Sequence, residues 1–182
     1  MQNALLQKAS IEAGVYAEPI ADHSISYVDI RDIADVAVAA ASGDFDDEAL
    51  TLTGREAMGG ERVSELLSQA TGKRVRFISP DLKSFRSALV EKKVPDWHIE
   101  ALIELYARIQ EGRASHLRAV TADIENVTGK RPRTFLEFAQ NAFGRRSARR
   151  HAAQAQTTRH PWYHLFNQNL SREPDWPIGF RL

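Results

Sequence analysis

The order of hydrophobic and polar positions predicts short β-strands that alternate with amphipathic helices. Alternating or β-branched runs predict strands at residues 25–30, 50–53 and 74–78. Each strand is followed by a segment with apolar residues at helical spacing, and the longest such segment covers residues 96–112. Three strand–helix alternations favour an α/β fold over a helical bundle. We expect a small, incomplete sheet with about five or six helices.

Capping signals place several helix boundaries. Asp29 has the residue type and position of an N-cap, and Gly43 is expected to end the helix that it begins. Thr134 and Glu137 match a capping box at the start of the last helix. Three aromatic residues of that helix are predicted to be among the most buried in the chain: Phe135, Phe138 and Phe143.

Composition excludes several classes of protein. The 182 residues are 43% hydrophobic and 26% charged, which is typical of a globular chain of about one domain. No uninterrupted apolar run reaches the ~18 residues that a transmembrane helix needs. The sequence has no cysteine, which excludes disulfides, thiolate metal sites and a cysteine nucleophile and permits a reducing compartment. His23, His98 and His116 lack metal-ligand spacing. His160 and His164 are four residues apart, but Pro161 disfavours a helix between them, so no metal site is predicted.

The net charge of zero conceals an abrupt change near Gly144. Residues 145–182 contain seven arginines, no lysine and only two acidic residues, whereas residues 1–144 have an excess of acidic residues. This shift predicts a domain at residues 1–143 and an Arg-rich, poorly ordered tail at residues 144–182. A basic arm that binds nucleic acid is the alternative, although such arms usually contain lysine as well.

The sequence lacks the common motifs of nucleotide-binding and hydrolytic sites. It contains no G-x-G-x-x-G turn, no G-x-S-x-G elbow, no Walker loop and no H-E-x-x-H helix. The adjacent Gly59 and Gly60 do not have dinucleotide-loop spacing. A Tyr-x-x-x-Lys pair is also absent, and no residue is therefore assigned as catalytic.

Five blocks occur in an order that is specific to one family. They are ISYVDIRDIADVA, ALTLTG, VSELLSQATGKRVRFI, VPDW…LIELYARIQEGRAS and TADIENVTGKRPRTFLEFA. In these blocks the chain resembles, over residues 1–143, the C-terminal half of NmrA-like NAD(P)-binding proteins, atypical members of the short-chain dehydrogenase/reductase superfamily. The resemblance implies the C-terminal portion of a Rossmann-type fold.

The resemblance also implies a function. Full-length relatives are NAD(P)H-dependent oxidoreductases that act on small molecules, and a cytoplasmic location is expected. The family's dinucleotide-binding half has no counterpart in these residues, so we expect a truncated member that binds no NAD(P)H alone and is inactive in isolation. The alternative is a non-catalytic, redox-sensing regulator or a protein-interaction module. Neither a membrane nor a nucleic acid is an expected partner, whereas an exposed sheet edge would allow self-association.

The resemblance places two residues near the cofactor. Gln2 and Asn3 lie where the family's chain leaves its sheet, close to the nicotinamide end, and are the candidate cofactor-binding residues. Because they stand at an N-terminus, fraying is the favoured alternative.

Four further residues are candidates on the substrate side: Tyr27, Asp29, Arg31 and Trp97. Each also has a structural interpretation. Tyr27 has the pattern of a half-buried strand residue, and Trp97 that of a core residue. Asp29 is expected to cap a helix while Arg31 pairs with Asp35 four residues later.

Overall fold

The computed structural model describes residues 1–41 and 49–144, which form a mixed α/β structure as predicted. The described residues contain four short strands: β1 (Val15–Ala17), β2 (Ser24–Ser26), β3 (Ala57–Gly59) and β4 (Arg76–Ile78). They also contain seven α-helices: α1 (Lys8–Glu12), α2 (Ile30–Ala40), α3 (Gly60–Thr71), α4 (Leu82–Glu91), α5 (Asp96–Gln110), α6 (Asp123–Thr128) and α7 (Phe135–Phe143). Two 3-10 helices cover Gln2–Gln7 and Ser115–Arg118.

The helices exceed the predicted five or six because of one short element. Helix α6 has only six residues, too few for an apolar period to repeat. The helix-like stretch at the N-terminus is divided into the 3-10 helix Gln2–Gln7 and the five-residue α1.

The strands form two separate two-stranded sheets within the described residues. Strand β1 pairs with β4 in parallel, with Tyr16 opposite Phe77. Strand β2 pairs with β3 antiparallel, with Ile25 opposite Met58. The sequence analysis missed β1 and β3, because three residues are too few to establish an alternating pattern.

Two of the predicted strands differ from the structure. The strand predicted at 25–30 ends at Ser26, because Asp29 already caps α2. The segment at 50–53 has the composition of a strand, yet it is not assigned to one and has no neighbouring strand among the described residues. A β-strand is defined by its hydrogen bonds to a neighbouring strand, so an alternating pattern alone does not make this segment a strand.

The main core lies between α3, α7, β1 and the N-terminal 3-10 helix. The predicted burial of the α7 aromatics is confirmed, because Phe135, Phe138 and Phe143 are 2%, 4% and 9% exposed. Their rings contact one another edge to face. A second, smaller cluster is formed by Ile20, Ile109 and Ala114.

Helix α2 buries only part of its apolar surface. Its carboxylate cap is as predicted, since Asp29 accepts a hydrogen bond from the Arg31 amide. Val36 is buried, whereas Ile30 and Ile33 are 59% and 40% exposed. The expected helix end at Gly43 and the tail after Gly144 lie outside the described residues. No helix in the described ranges is long and apolar enough to cross a membrane.

Candidate functional site

Gln2, Asp29 and Arg31 form one hydrogen-bonded cluster at the start of α2. The Gln2 side-chain amide donates to Asp29 Oδ1 at 2.9 Å, and its oxygen accepts from the Ile30 amide at 3.0 Å. The Arg31 guanidinium donates to both oxygens of Asp29, at 3.0 and 2.6 Å. Fraying of Gln2, which the sequence favoured, is therefore wrong: this side chain joins the N-terminal turn to α2.

Asp29 is a fully buried carboxylate that remains ionised. Burial by itself would raise its pKa, but hydrogen bonds from Arg31 and Gln2 outweigh burial and lower the pKa to about 2. Asp29 thus places a carboxylate at the N-terminus of α2, where the helix dipole favours negative charge, and Arg31 balances that charge.

The pairing predicted between Arg31 and Asp35 is wrong. Arg31 is held by Asp29, and Asp35 instead accepts from the Arg133 guanidinium at 2.9 Å. The same guanidinium contacts the buried Asp32, which also accepts from the Arg133 amide at 2.8 Å. The segment before α7 therefore supplies the cation that pairs with the carboxylates of α2. The two segments are about a hundred residues apart, so spacing within a helix could not predict this pairing.

Tyr27 belongs to a second polar cluster, centred on the buried Glu18. The hydroxyls of Tyr16 and Tyr27 both donate to Glu18 Oε2, the latter at 2.5 Å. The Tyr106 hydroxyl donates to Oε1 at 3.3 Å. One carboxylate thus joins β1, the loop before α2, and α5.

The Glu18 cluster limits what its tyrosines can do chemically. Burial, and then the neighbouring carboxylate, raise the pKa of Tyr16, Tyr27 and Tyr106 above that of a free phenol. These hydroxyls therefore remain protonated and serve as hydrogen-bond donors. Tyr27 lacks the lowered pKa that would suit a general base.

A small, partly open cleft adjoins both clusters. Its walls combine apolar side chains with charged and polar ones: Met1, Tyr27, Met58 and Phe135 together with Arg55, Glu56, Arg133 and Thr134. The Met1 amino group donates to the Val28 carbonyl at 2.7 Å, which fixes the N-terminal turn at one side of the cleft. The cleft has a volume of about 10 Å³, which is room for about one water molecule.

Two of the predicted site residues lie apart from this cleft. Asn3 is exposed on the N-terminal 3-10 helix. Trp97 is 74% exposed, so its expected packing in the core is wrong; its ring stacks on His98 at 5.2 Å between centroids. Position 97 is in the first turn of α5, outside the stripe that buries Ile99 and Ile109.

The structure adds functional candidates that the sequence did not single out. Glu18 precedes a proline in an irregular segment, where no periodic signal marks burial. Arg133 lies within the TGKRPRTF block, but its role depends on Asp32 and Asp35. No group of metal-ligating side chains occurs in the part of the chain that the structure describes.

The fold is similar to about half of the Rossmann-like fold of solved reductases, in agreement with the fold that the sequence blocks predict. The structure aligns with NADPH-dependent quinone oxidoreductase from Escherichia coli at a TM-score of 0.68 and 21% identity, over 79% of this chain and 52% of that one. Triphenylmethane reductase of Citrobacter sp., solved with NADP(H), aligns at a TM-score of 0.64 and 20% identity, over 75% of this chain and 47% of that one.

In sequence, the chain is similar to the NAD(P)H azoreductase of Xenophilus azovorans. The two are 34% identical over 142 residues, which are 77% of this chain and 49% of the azoreductase. The chain thus spans about half the length of the curated relatives that it matches. No protein-family model matches it. The relatives named here are NAD(P)H reductases, which agrees with the predicted class.

Proposed function

We propose that this chain is the substrate-side portion of an NAD(P)H-dependent oxidoreductase that acts on small molecules. The similarity to an NAD(P)H azoreductase at 34% identity carries the proposal. The cleft between Met1, Tyr27 and Arg133 supports it, because this cleft is where the N-terminal turn, the start of α2 and the segment before α7 meet.

This cleft is proposed as one edge of the substrate site, because its own volume of about 10 Å³ admits only about one water molecule. Met58 and Phe135 line the cleft but are almost wholly buried. The Arg55 guanidinium donates to the Pro132 carbonyl, Arg133 pairs with Asp32 and Asp35, and Glu56 adds a carboxylate to the lining. Arg133 is held by Asp32 and Asp35, so its guanidinium is already oriented before any ligand arrives. The proposed roles of Tyr27, Asp29 and Arg31 are to support this cleft.

The residues present do not fit a bound dinucleotide. In such enzymes NAD(P)H supplies the hydride, and its pyrophosphate is held by a Gly-rich βα turn and a helix N-terminus. The 182-residue sequence contains no such turn. Gln2 and Asn3 remain the proposed edge contacts, although the Gln2 amide is already bonded to Asp29 and Ile30.

We therefore propose that the chain alone binds neither NADPH nor NADH with useful affinity. Lost pyrophosphate contacts worth ~4 kcal/mol would weaken binding about a thousandfold. Calorimetric titration with both dinucleotides should give no detectable heat of binding, and neither should raise the melting temperature. Micromolar binding by the chain alone would contradict this proposal.

A fusion tests the oxidoreductase assignment. The half of the Xenophilus azovorans azoreductase that this chain does not match, joined to Met1 by a short linker, should bind NADPH and oxidise it in the presence of an azo or quinone acceptor. Arg133→Met in the fusion should weaken acceptor turnover more than NADPH binding. A folded fusion that binds neither dinucleotide would contradict the assignment.

The absence of cysteine agrees with the proposed cytoplasmic location.

A further inference from the structure

A second cleft lies beside the smaller core cluster, and it is larger than the one at Met1. This β2–α5 cleft is partly open and is bounded by the start of β2, the C-terminal end of α5 and the 3-10 helix Ser115–Arg118. Its volume is about 80 Å³, against about 10 Å³ for the cleft at Met1. A cavity needs ~10–15 Å³ for one water molecule, so the β2–α5 cleft has room for roughly five to eight atoms other than hydrogen.

The floor of the β2–α5 cleft is apolar. Ile109 and Ala114 are buried members of the smaller core cluster, and Ile25 packs against that cluster. Gly112 also lines the cleft, with a φ of +69° that disfavours any residue with a side chain. A Cβ at this position would lie 3.9 Å from His23 Cε1, so glycine keeps the space beside the imidazole open. The floor therefore offers a packed hydrophobic surface to a ligand.

Three side-chain donors on the rim of the cleft are uncommitted. They are the hydroxyls of Ser24 and Ser115 and the guanidinium of Arg118, and none of them forms a hydrogen bond or ion pair with a residue that the structure describes. By contrast, the guanidinium groups of Arg55 and Arg133 at the smaller cleft are already bound within the protein. The rim of the β2–α5 cleft therefore retains positive charge and donors for a ligand.

The neighbouring charged groups leave this positive charge in place. His23 borders the cleft in a fixed orientation, because its Nε2–H donates to the Gln110 carbonyl at 3.1 Å, and a carbonyl oxygen can only accept. The Asp22 carboxylate lies 3.8 Å from the same nitrogen, but its side chain is 97% exposed, so water and salt screen its charge. Glu111, just after α5, is already paired with Arg113.

We propose that the β2–α5 cleft binds a short-chain aliphatic carboxylate of about four carbons. The carboxylate accepts from the Arg118 guanidinium and the two serine hydroxyls, while the hydrocarbon chain covers Ile25 and Ile109. Inorganic phosphate fits less well, because its remaining oxygens would lie against the apolar floor without donors. This binding site goes beyond the proposed oxidoreductase function and does not depend on it.

The experiment titrates the isotope-labelled full chain with sodium butyrate and follows the amide chemical shifts by NMR. We expect saturable shifts confined to residues 23–25 and 112–118, with a Kd of about 1 mM, which is typical for a ligand of this size. Butan-1-ol has the apolar chain without the charge, and inorganic phosphate has the charge without the apolar chain. Each should bind about tenfold more weakly than butyrate or less tightly still.

Arg118→Gln should weaken butyrate binding about tenfold or more and leave the melting temperature unchanged, because this side chain bonds to no residue that the structure describes. Arg86→Gln is the matched control: it removes the same charge from an exposed pair with Glu100 on α5, and it should not change the affinity. Butyrate binding that survives Arg118→Gln, phosphate that binds as tightly as butyrate, or shifts that are absent, scattered or unsaturable would each overturn the proposal. No dinucleotide is used, so these outcomes leave the oxidoreductase assignment untouched.

Discussion

At the scale of single residues, two buried carboxylates carry the polar interactions of the interior. Glu18 accepts from three tyrosine hydroxyls, and Asp29 accepts from Gln2 and Arg31. Neither role follows from the residue type alone, because a surface glutamate and a surface aspartate look the same in sequence. Both clusters also include a partner from a distant segment, which is Tyr106 for Glu18 and Gln2 for Asp29.

Removing the Glu18 carboxylate should destabilise the fold. Glu18→Ala leaves the hydroxyls of Tyr16, Tyr27 and Tyr106 without their acceptor, at a cost of about 2 kcal/mol in the free energy of unfolding. Glu18→Gln, which retains an acceptor oxygen, should cost less. Urea unfolding measures both, with Glu104→Ala at an exposed i,i+4 ion pair as the control. Equal effects of Glu18→Ala and Glu104→Ala would contradict the buried network.

Asp29 should make stability depend on pH. Its folded pKa of about 2 lies below the unfolded value near 3.9, so the carboxylate contributes stability that is complete above about pH 4 and is lost as the pH falls through 2. Asp29→Asn should therefore cost about 2 kcal/mol at pH 7 and about half as much at pH 3.

Urea unfolding at several pH values between 7 and 3 measures this difference. Glu100→Gln, at an exposed ion pair with Arg86, is the control and should have a much smaller effect at every pH. A destabilisation by Asp29→Asn that does not change with pH would show that Asp29 acts through shape and not through charge.

At the scale of elements, α7 combines a strong local signal with burial of its aromatic side chains. Thr134 and Glu137 form the predicted capping box, in which the Thr134 hydroxyl accepts from the Glu137 amide at 3.1 Å. The Glu137 carboxylate accepts from the Thr134 amide at 2.7 Å, and that bond lowers its pKa. Local sequence and tertiary packing agree here, which is why this helix is the best predicted.

Thr134→Ala should cost about 1 kcal/mol in the free energy of unfolding, because it leaves an amide of the first turn without its acceptor. Thr134→Ser retains the hydroxyl and should cost much less. Urea unfolding of the two variants measures the difference. If Thr134→Ser and Thr134→Ala lower the free energy of unfolding equally, the loss of packing by the threonine methyl group, and not the loss of the cap, causes the destabilisation.

At the scale of the whole molecule, the change from acidic to basic composition at Gly144 is the clearest boundary in the sequence. The Arg-rich residues 145–182 lack a sustained apolar period and contain three prolines. Deletion of residues 145–182 should therefore leave the midpoint of urea unfolding of the remaining chain unchanged. A large fall in that midpoint would contradict the predicted boundary, and the intact chain under the same conditions is the control.

The sequence by itself determined the α/β class, the longer helices, the cap at Asp29, the capping box at Thr134 and the burial of the α7 aromatics. These features depend on residues within about one helical turn, where spacing specifies both neighbours and faces. Only the tertiary structure decided that Arg133 pairs with Asp32 and Asp35, that Glu18 holds three tyrosines, and that residues 50–53 have no strand partner among the residues that the structure describes. Each of these depends on segments far apart in the chain, and one-dimensional spacing carries no information about which of them meet.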